Sequence, residues 1–341
     1  MSGGHLFLEY LARVTPQIDE RLHSYLAGER EGSPLHRYLY SILDEFIARG
    51  GKRARPAMTM LACEAVGGEA ELALASGCAI EFFHAAALIH DDIMDSSLLR
   101  RGKKCAHLLH GSPLAMNAGD YALGLVCTIV VRDPALSDTT KLAVLDVIGE
   151  MSARTVEGQA LDVGWVRDDV YDLTPQDYLA MALGKTGYYS GIAPLKVGAI
   201  IGGADDREIR ALVDFGRDSS IAFQIQDDLL NLLGDSDTMG KDYLSDVFES
   251  KRTLMVIHCL SVADPADRDR LVELLRRGQD KSLEEAAEVV ALLERHGSLD
   301  YARRFARSLI DSAVRALDGL PASSARDILA SMADFFLERE R

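Results

Sequence analysis

The stretch LIHDDIMDSSLLRRG, residues 88–102, ends an apolar run with Asp91, Asp92 and Asp95 and sets Arg100 and Arg101 behind them. On a helix, positions four apart lie on one face, about 40° apart at 3.6 residues per turn. Asp91 and Asp95 therefore stack, with Asp92 on the flank. Three anions this close repel unless a cation joins them. A small cluster of oxygen ligands suits Mg²⁺, which keeps several waters and bridges to phosphates. By itself an acidic triplet reads equally well as a solvated helix face or a cap. A second copy strengthens the metal reading: FQIQDDLLN, residues 223–231, is another apolar helix ending in paired acids, Asp227 and Asp228. Two such faces can hold Mg²⁺ ions between them and grip a diphosphate from both sides, the metals neutralising a leaving group.

Counter-charges for a polyphosphate accompany these faces. GGKRARP (50–56) brings Lys52, Arg53 and Arg55 after a double glycine, and Arg100-Arg101-Gly102 follows the first acidic face. GKTG (184–187), MGKD (239–242) and ESKRT (249–253) each place a lysine beside a glycine or a helix break. None has the spacing of a nucleotide P-loop, so that reading is rejected. Arginine suits bidentate phosphate contacts, and lysine supplies a compact point charge.

The rest of the 341-residue chain agrees with an all-α fold. Segments 139–162, 206–233, 282–296 and 299–318 repeat apolar residues at three- and four-residue steps. Gly-Gly pairs and prolines break the pattern, and strand alternation is scarce. No linker or low-complexity tract divides the chain, so we expect a single domain over 1–341. The region beyond about 262 carries no motif and reads as packing and solvated helix faces. A net charge of −16 argues against nucleic-acid binding. Five scattered cysteines without CxxC spacing argue against structural zinc and for a reducing compartment. The N-terminus lacks a signal or transit pattern. The longest uninterrupted apolar stretch, YALGLVCTIVV (121–131), is too short to span a bilayer and reads as a buried helix. A cytoplasmic protein without a membrane span is expected.

The ordered set GGKRARP, LIHDDIMD…RRG, EGQALD, GKTG, FQIQDD and KRT, within about residues 45–260, resembles the trans-isoprenyl diphosphate synthases, the polyprenyl synthetase family. The resemblance implies the isoprenoid synthase fold, a large helical bundle around an apolar cavity, usually as a homodimer. It implies joining an allylic diphosphate to isopentenyl diphosphate, with two or three Mg²⁺ ions per site. Matched residue by residue, it puts Lys52, Arg55, His84 and Arg101 on isopentenyl diphosphate. His84, two turns before Asp91, shares its face. Arg100, Lys185, Lys241 and Lys251 match contacts to the allylic diphosphate. Asp91, Asp95 and Asp227 match metal ligands, with Asp92 and Asp228 alongside. Thr186 and Gln224 match polar groups near the reacting carbon and, with Lys185, are the implied catalytic set. Two departures stand out. Asn231 replaces the last acid of the second motif, and Ser250 replaces a glycine before Lys251.

The growing tail should run down the apolar helix below Asp91. Ala86 and Ala87 are small, and Phe83 is eight residues below Asp91, about 12 Å at 1.5 Å per residue. On the helical wheel Phe83 falls near the Ala87 stripe while Phe82 points away. Phe83 is therefore the expected floor, giving a C20 product, geranylgeranyl diphosphate, or one somewhat longer. Two rival readings remain. A class I terpene cyclase shares the fold but does not need the cations at 52, 55 and 101 or His84. A non-catalytic regulatory subunit would be expected to lose metal ligands, and only Asn231 points that way.

Overall fold

A helix that is apolar on every side must be buried on every side. Residues 74–83 meet that condition, and the chain is built around them. The structure, a computed structural model, describes residues 4–27, 32–233 and 243–338. Sixteen α-helices are found there: α1 His5–Ser24, α2 Ser41–Ala48, α3 Ala54–Ala65, α4 Leu74–Met94, α5 Ala106–His110, α6 Ser112–Arg132, α7 Asp138–Arg167, α8 Pro175–Ala182, α9 Ala193–Gly202, α10 Asp206–Leu233, α11 Ser245–Phe248, α12 Leu254–Val262, α13 Pro265–Arg276, α14 Leu283–Arg295, α15 Ser298–Ala316 and α16 Ser324–Glu338. The only strands among the described residues are a two-residue pair, β1 Leu99–Arg100 and β2 Lys103–Lys104. This is the all-α architecture that the periodicity predicts, and its buried residues form one core running from Phe7 to Phe336.

Local signals place the helix starts. Thr174 accepts the Asp177 N–H, the Asp177 carboxylate receives the Thr174 N–H, and Pro175 follows at the first turn of α8. Ser282 and Glu285 form the same reciprocal cap on α14, and Ser137 caps α7. In α4 every residue from Leu74 to Phe83 is buried, with α3 on one side and α6 on the other. The two long helices α7 and α10 both pack on the segment Leu183–Ile192, which is wound as a π-helix. π-Helical turns inside α-helices recur at functional sites, and this one carries GKTG.

One expectation is corrected here. The stretch 121–131 belongs to a 21-residue helix, α6, and is not wholly buried. Leu123, Cys127 and Val131 face outward, as does Met116 earlier in the helix. Ala70–Met94 and Ser112–Arg132 are both long and apolar enough to cross a membrane by length and composition, but 78% and 44% of their windows are buried inside the fold. The first is a core helix; the second is a half-covered amphipathic one.

Candidate active site

The first acidic face forms as α4 runs out. The Asp95 N–H donates to the Asp91 carbonyl at 2.9 Å, so the turn carrying both residues is intact. Their side chains keep 25% and 18% exposure, whereas Asp92 keeps 1%. Asp92 was expected beside Asp91 as a metal ligand; the structure buries it against Arg100. Its Oδ1 accepts from Arg100 Nε at 2.8 Å and Nη2 at 2.5 Å. A buried carboxylate held by a guanidinium is an internal anchor. Arg100 reaches it because β1 and β2 pair around a two-residue turn, Arg101–Gly102, with φ of 53° and 72°. Such a turn needs left-handed backbone at both positions, which glycine takes freely. Arg100 also lies 3.7 Å from Asp91. Burial, and then the charge of Asp91, push the Asp95 carboxyl up to about 6.

The π-helical segment delivers Lys185 to this face. It lies so close to α7 that a Cβ built on Gly158 would come within 2.0 Å of the Lys185 nitrogen. The glycine of EGQALD is therefore what lets the two backbones touch. Lys185 Nζ donates to Asp162 at 2.6 Å and lies 3.9 Å from Asp91. Burial opposes the Lys185 charge, but Asp162 and Asp91 outweigh it and hold the ammonium above its ordinary pKa. Gln159, one helical turn before Asp162, donates to Asp91 at 3.3 Å. EGQALD alone assigns neither residue a role. Their spacing on one face of α7 was the signal available.

The second acidic face reaches the same place. Thr186 Oγ1 donates to Gln224 Oε1 at 2.7 Å, Gln224 Nε2 to Asp228 at 2.8 Å, and Tyr178 OH to Asp228 at 2.8 Å. Asp228 is 5% exposed. Burial, and then Asp246, push its pKa far above the carboxylate range. Both its oxygens accept hydrogen bonds within the protein, one from Gln224 and one from Tyr178. Asp227, its neighbour, is half-buried. Lys251 Nζ sits 2.7 Å from Glu249, 3.2 Å from Asp246 and 3.9 Å from Asp95 of the first face, and lines the same polar cavity as Asp228. The glycine missing at 250 is replaced by a serine at φ 57°. Its hydroxyl donates to the Leu275 carbonyl at 2.6 Å and accepts from Lys281 at 2.7 Å, which offsets the strain of a left-handed non-glycine residue. Lys241 lies outside the described residues.

A separate cationic pocket stands beside these faces. Arg55 donates to Ser190 at 2.6 Å and stacks over the Tyr189 ring at 4.7 Å; His84 stacks on the same ring at 5.7 Å. Arg55 Nε and His84 Nδ1 are buried without a hydrogen-bond partner among the described residues. Buried polar atoms are rarely left so, and an anion would satisfy them. Burial, then Arg55, Arg101 and Arg100, hold His84 well below its ordinary pKa. Arg101 packs against Gly51, and the Lys52 ammonium lies 4.8 Å above the Phe335 ring of α16. Arg53, in contrast, is tied to Asp19 at 2.7 Å and Glu81 at 3.2 Å and is structural.

The His84 reading carries a pH prediction. An unfolded histidine takes its proton near pH 6.5, while the folded imidazole stays neutral to lower pH. The unfolded state then binds more protons, so this group's contribution makes stability fall as pH drops below about 6.5. Thermal unfolding of the ligand-free protein at pH 5.5 and 7.5 should show a smaller drop in His84→Gln than in wild type.

Below Asp91 an apolar cavity of about 360 Å³ is lined by Phe83, Ala87, Met94, Val126, Ile148 and Tyr189, among others, and Lys185 reaches its mouth. Lys185 also lines a smaller polar cavity of about 50 Å³ with Thr186, Gln224 and Asp228. The Phe83 ring meets Tyr189 at 5.9 Å. Ala86 is corrected: it is wholly buried in the core and does not line the cavity. A larger groove of about 860 Å³, between the end of α1 and α6, has none of the site residues in its wall.

An all-helical fold with two acidic helix ends, paired lysines and an apolar pit defines a protein that handles a diphosphate bearing a greasy tail. Residues 36–293 match the Polyprenyl synthetase family, and the chain belongs to it. It is 38% identical over 333 residues to the short chain isoprenyl diphosphate synthase of Methanothermobacter thermautotrophicus, covering 98% of both chains. It is 35% identical to the geranylfarnesyl diphosphate synthase of Natronomonas pharaonis, covering 88% of this chain and 90% of that one. Among solved structures it resembles the geranylgeranyl pyrophosphate synthetase of Pyrococcus horikoshii, with a TM-score of 0.88 at 36% identity over 97% of this chain and 98% of that chain.

Proposed function

We infer that the chain is a trans-prenyl chain-elongating enzyme, joining isopentenyl diphosphate to an allylic diphosphate and making products of C20 or longer. Its relatives are synthases of that class. The observation that carries the site assignment is that Lys185 and Lys251 lie 3.9 Å from Asp91 and Asp95 respectively and line a polar cavity with Asp228 of the second acidic face, beside an apolar cavity and a cation pocket whose buried Arg55 Nε and His84 Nδ1 have no hydrogen-bond partner among the described residues.

The donor set fits Mg²⁺: partly exposed, hard carboxylate oxygens, Asp91 and Asp95 on one side and Asp227 on the other. When bound, Mg²⁺ supplies Lewis-acid stabilisation of the departing diphosphate's charge. The chain's own residues do the rest. Lys185, Lys251 and Arg100 lie within reach of the allylic diphosphate and take negative charge as the C1–O bond breaks and its electron pair leaves with the oxygen. Arg55, His84 and Arg101 hold isopentenyl diphosphate so that its double bond attacks C1. We assign stabilisation of the allylic cation to the Thr186 and Gln224 oxygens, which line the polar cavity with Lys185. The proton then lost from isopentenyl C2 goes to the departing diphosphate. The apolar walls exclude the water that would quench the cation. We also read the enzyme as a cytoplasmic homodimer, the second copy covering outward-facing Met116, Leu123 and Val131 of α6.

The test is to supply isopentenyl diphosphate with C5, C10 or C15 starters plus Mg²⁺ and to size the dephosphorylated products. C20 or longer chains are expected. A cyclic hydrocarbon formed from the allylic diphosphate alone would favour a cyclase, and the absence of any product would overturn the assignment. Phe83→Ala should lengthen the product by at least one isoprene unit, because the ring lines the cavity eight residues below Asp91. An unchanged product distribution would reject Phe83 as the floor.

A further inference from the structure

The motif-free region beyond 262 contains a buried lysine that the site described above does not use. Lys281, between α13 and α14, is 5% exposed. Its Nζ donates to Ser250 Oγ at 2.7 Å and to the Gly278 carbonyl at 2.8 Å, both neutral acceptors. Burial, and then the charge of Arg252, lower its pKa to about 8. An ammonium buried on neutral acceptors is costly, because such bonds replace less of its hydration than an ion pair does. Its place against Ser250 is what the cost secures.

Ser250 is the joint between α11 and Lys251. On one side its N–H donates to the Val247 carbonyl at 3.0 Å, in the last turn of α11. On the other its carbonyl accepts from Arg252, whose Nε donates to the Val170 carbonyl at 2.8 Å. Between these anchors the backbone stands at φ 57°, which a glycine takes unaided and a serine does not. The serine is held there by its hydroxyl, which donates to the Leu275 carbonyl and accepts from Lys281. Lys251 is the next residue, and its Nζ lies 3.9 Å from Asp95 of the first acidic face. Relaxing the left-handed turn at 250 swings that ammonium away.

We propose that Lys281 is a positioning residue for the reaction: through the Ser250 hydroxyl it holds the turn that aims Lys251 at the allylic diphosphate. The serine at 250 makes the aim of Lys251 depend on a residue 31 positions further along the chain. The inference rests on the reading that Lys251 meets the allylic diphosphate.

The test is steady-state kinetics of the full chain with Mg²⁺, varying in turn isopentenyl diphosphate and whichever of the C5, C10 or C15 allylic diphosphates wild type uses. Lys281→Met should lower kcat/KM for the allylic diphosphate by about tenfold or more, as a displaced site group does. The KM for isopentenyl diphosphate should stay as in wild type, since Arg55, His84 and Arg101 are untouched. Ser250→Ala keeps the left-handed backbone without the hydroxyl and should give the same split. Adding Ser250→Gly to Lys281→Met should restore the allylic kcat/KM, because glycine holds the turn without the lysine. A merely structural lysine would move the urea midpoint of Lys281→Met and leave the split absent. Lys251→Met reports on the parent reading. If it loses allylic kcat/KM while Lys281→Met and Ser250→Ala keep theirs, the inference is overturned and the parent reading stands. A loss in Lys281→Met that Ser250→Gly fails to restore also overturns it. If Lys251→Met itself keeps wild-type allylic kinetics, both fall. Urea unfolding identifies a variant that fails to fold, and the other of Lys281→Met and Ser250→Ala then decides.

Discussion

Asp91→Asn is expected to lower kcat by about a thousandfold, the scale of losing a main electrostatic stabiliser at a reacting centre, with little change in thermal stability. The carboxylate is partly exposed, and its close partners among the described residues are Gln159 at 3.3 Å, Arg100 at 3.7 Å and Lys185 at 3.9 Å. Removing its charge leaves no buried ion stranded, because Arg100 keeps Asp92 and Lys185 keeps Asp162. Asp92→Asn should behave in the opposite way. It weakens a buried bond to a guanidinium, costing on the order of 2 kcal/mol of stability, and its activity loss should be the smaller. Steady-state kinetics across a Mg²⁺ titration, paired with melting curves, separate the two variants. A large activity loss in Asp92→Asn without destabilisation would return it to the set of metal ligands.

Lys185→Met is expected to damage both stability and activity, and a second substitution should split the two. Asp162 is 8% exposed, and Lys185, at 2.6 Å, is its ion-pair partner. Burial raises the cost of the Asp162 charge, and Lys185, with help from Lys251, more than offsets it, holding the carboxyl below its ordinary range. Deleting the ammonium strands that charge, a loss of about 3 kcal/mol. Adding Asp162→Leu removes the stranded charge, so the double variant should regain most of its stability in urea unfolding. Its kcat should stay about a hundredfold or more below wild type, since the cation near Asp91 is still missing. A double variant that recovers activity along with stability would show that Lys185 serves the fold alone.

The elements that were legible in the sequence are those governed by local rules. The periodic segments beginning near 139, 206, 282 and 299 are α7, α10, α14 and α15, each starting within one residue of the expected place, though α7 runs on to Arg167, because helix faces and caps are set by neighbours along the chain. The two acidic helix ends were legible for the same reason. What could not be read is which of their carboxylates point inward. Asp91 and Asp92 are adjacent, yet one is partly exposed and the other buried, and the difference depends on Arg100 arriving by a hairpin turn. The Tyr178–Asp228 and Lys185–Asp162 bonds span 50 and 23 residues and follow from the packing of α7, α8 and α10 around the π-helical segment. Ala86 and Ala87 looked alike on the sequence; only the placement of α3 and α6 against α4 separates core from cavity. Asn231 looked like a weakened ligand, and its bonds to residues 245 and 246 lie across a chain reversal that no local pattern encodes.

The most direct measurement is a crystal of the chain grown with Mn²⁺ and inorganic diphosphate, with the metals located by their anomalous scattering. The account predicts Mn²⁺ at Asp91 and Asp95 and at Asp227, with one diphosphate between them in reach of Lys185 and Lys251. Metal confined to one acidic helix end, or a diphosphate bound away from both lysines, would contradict it.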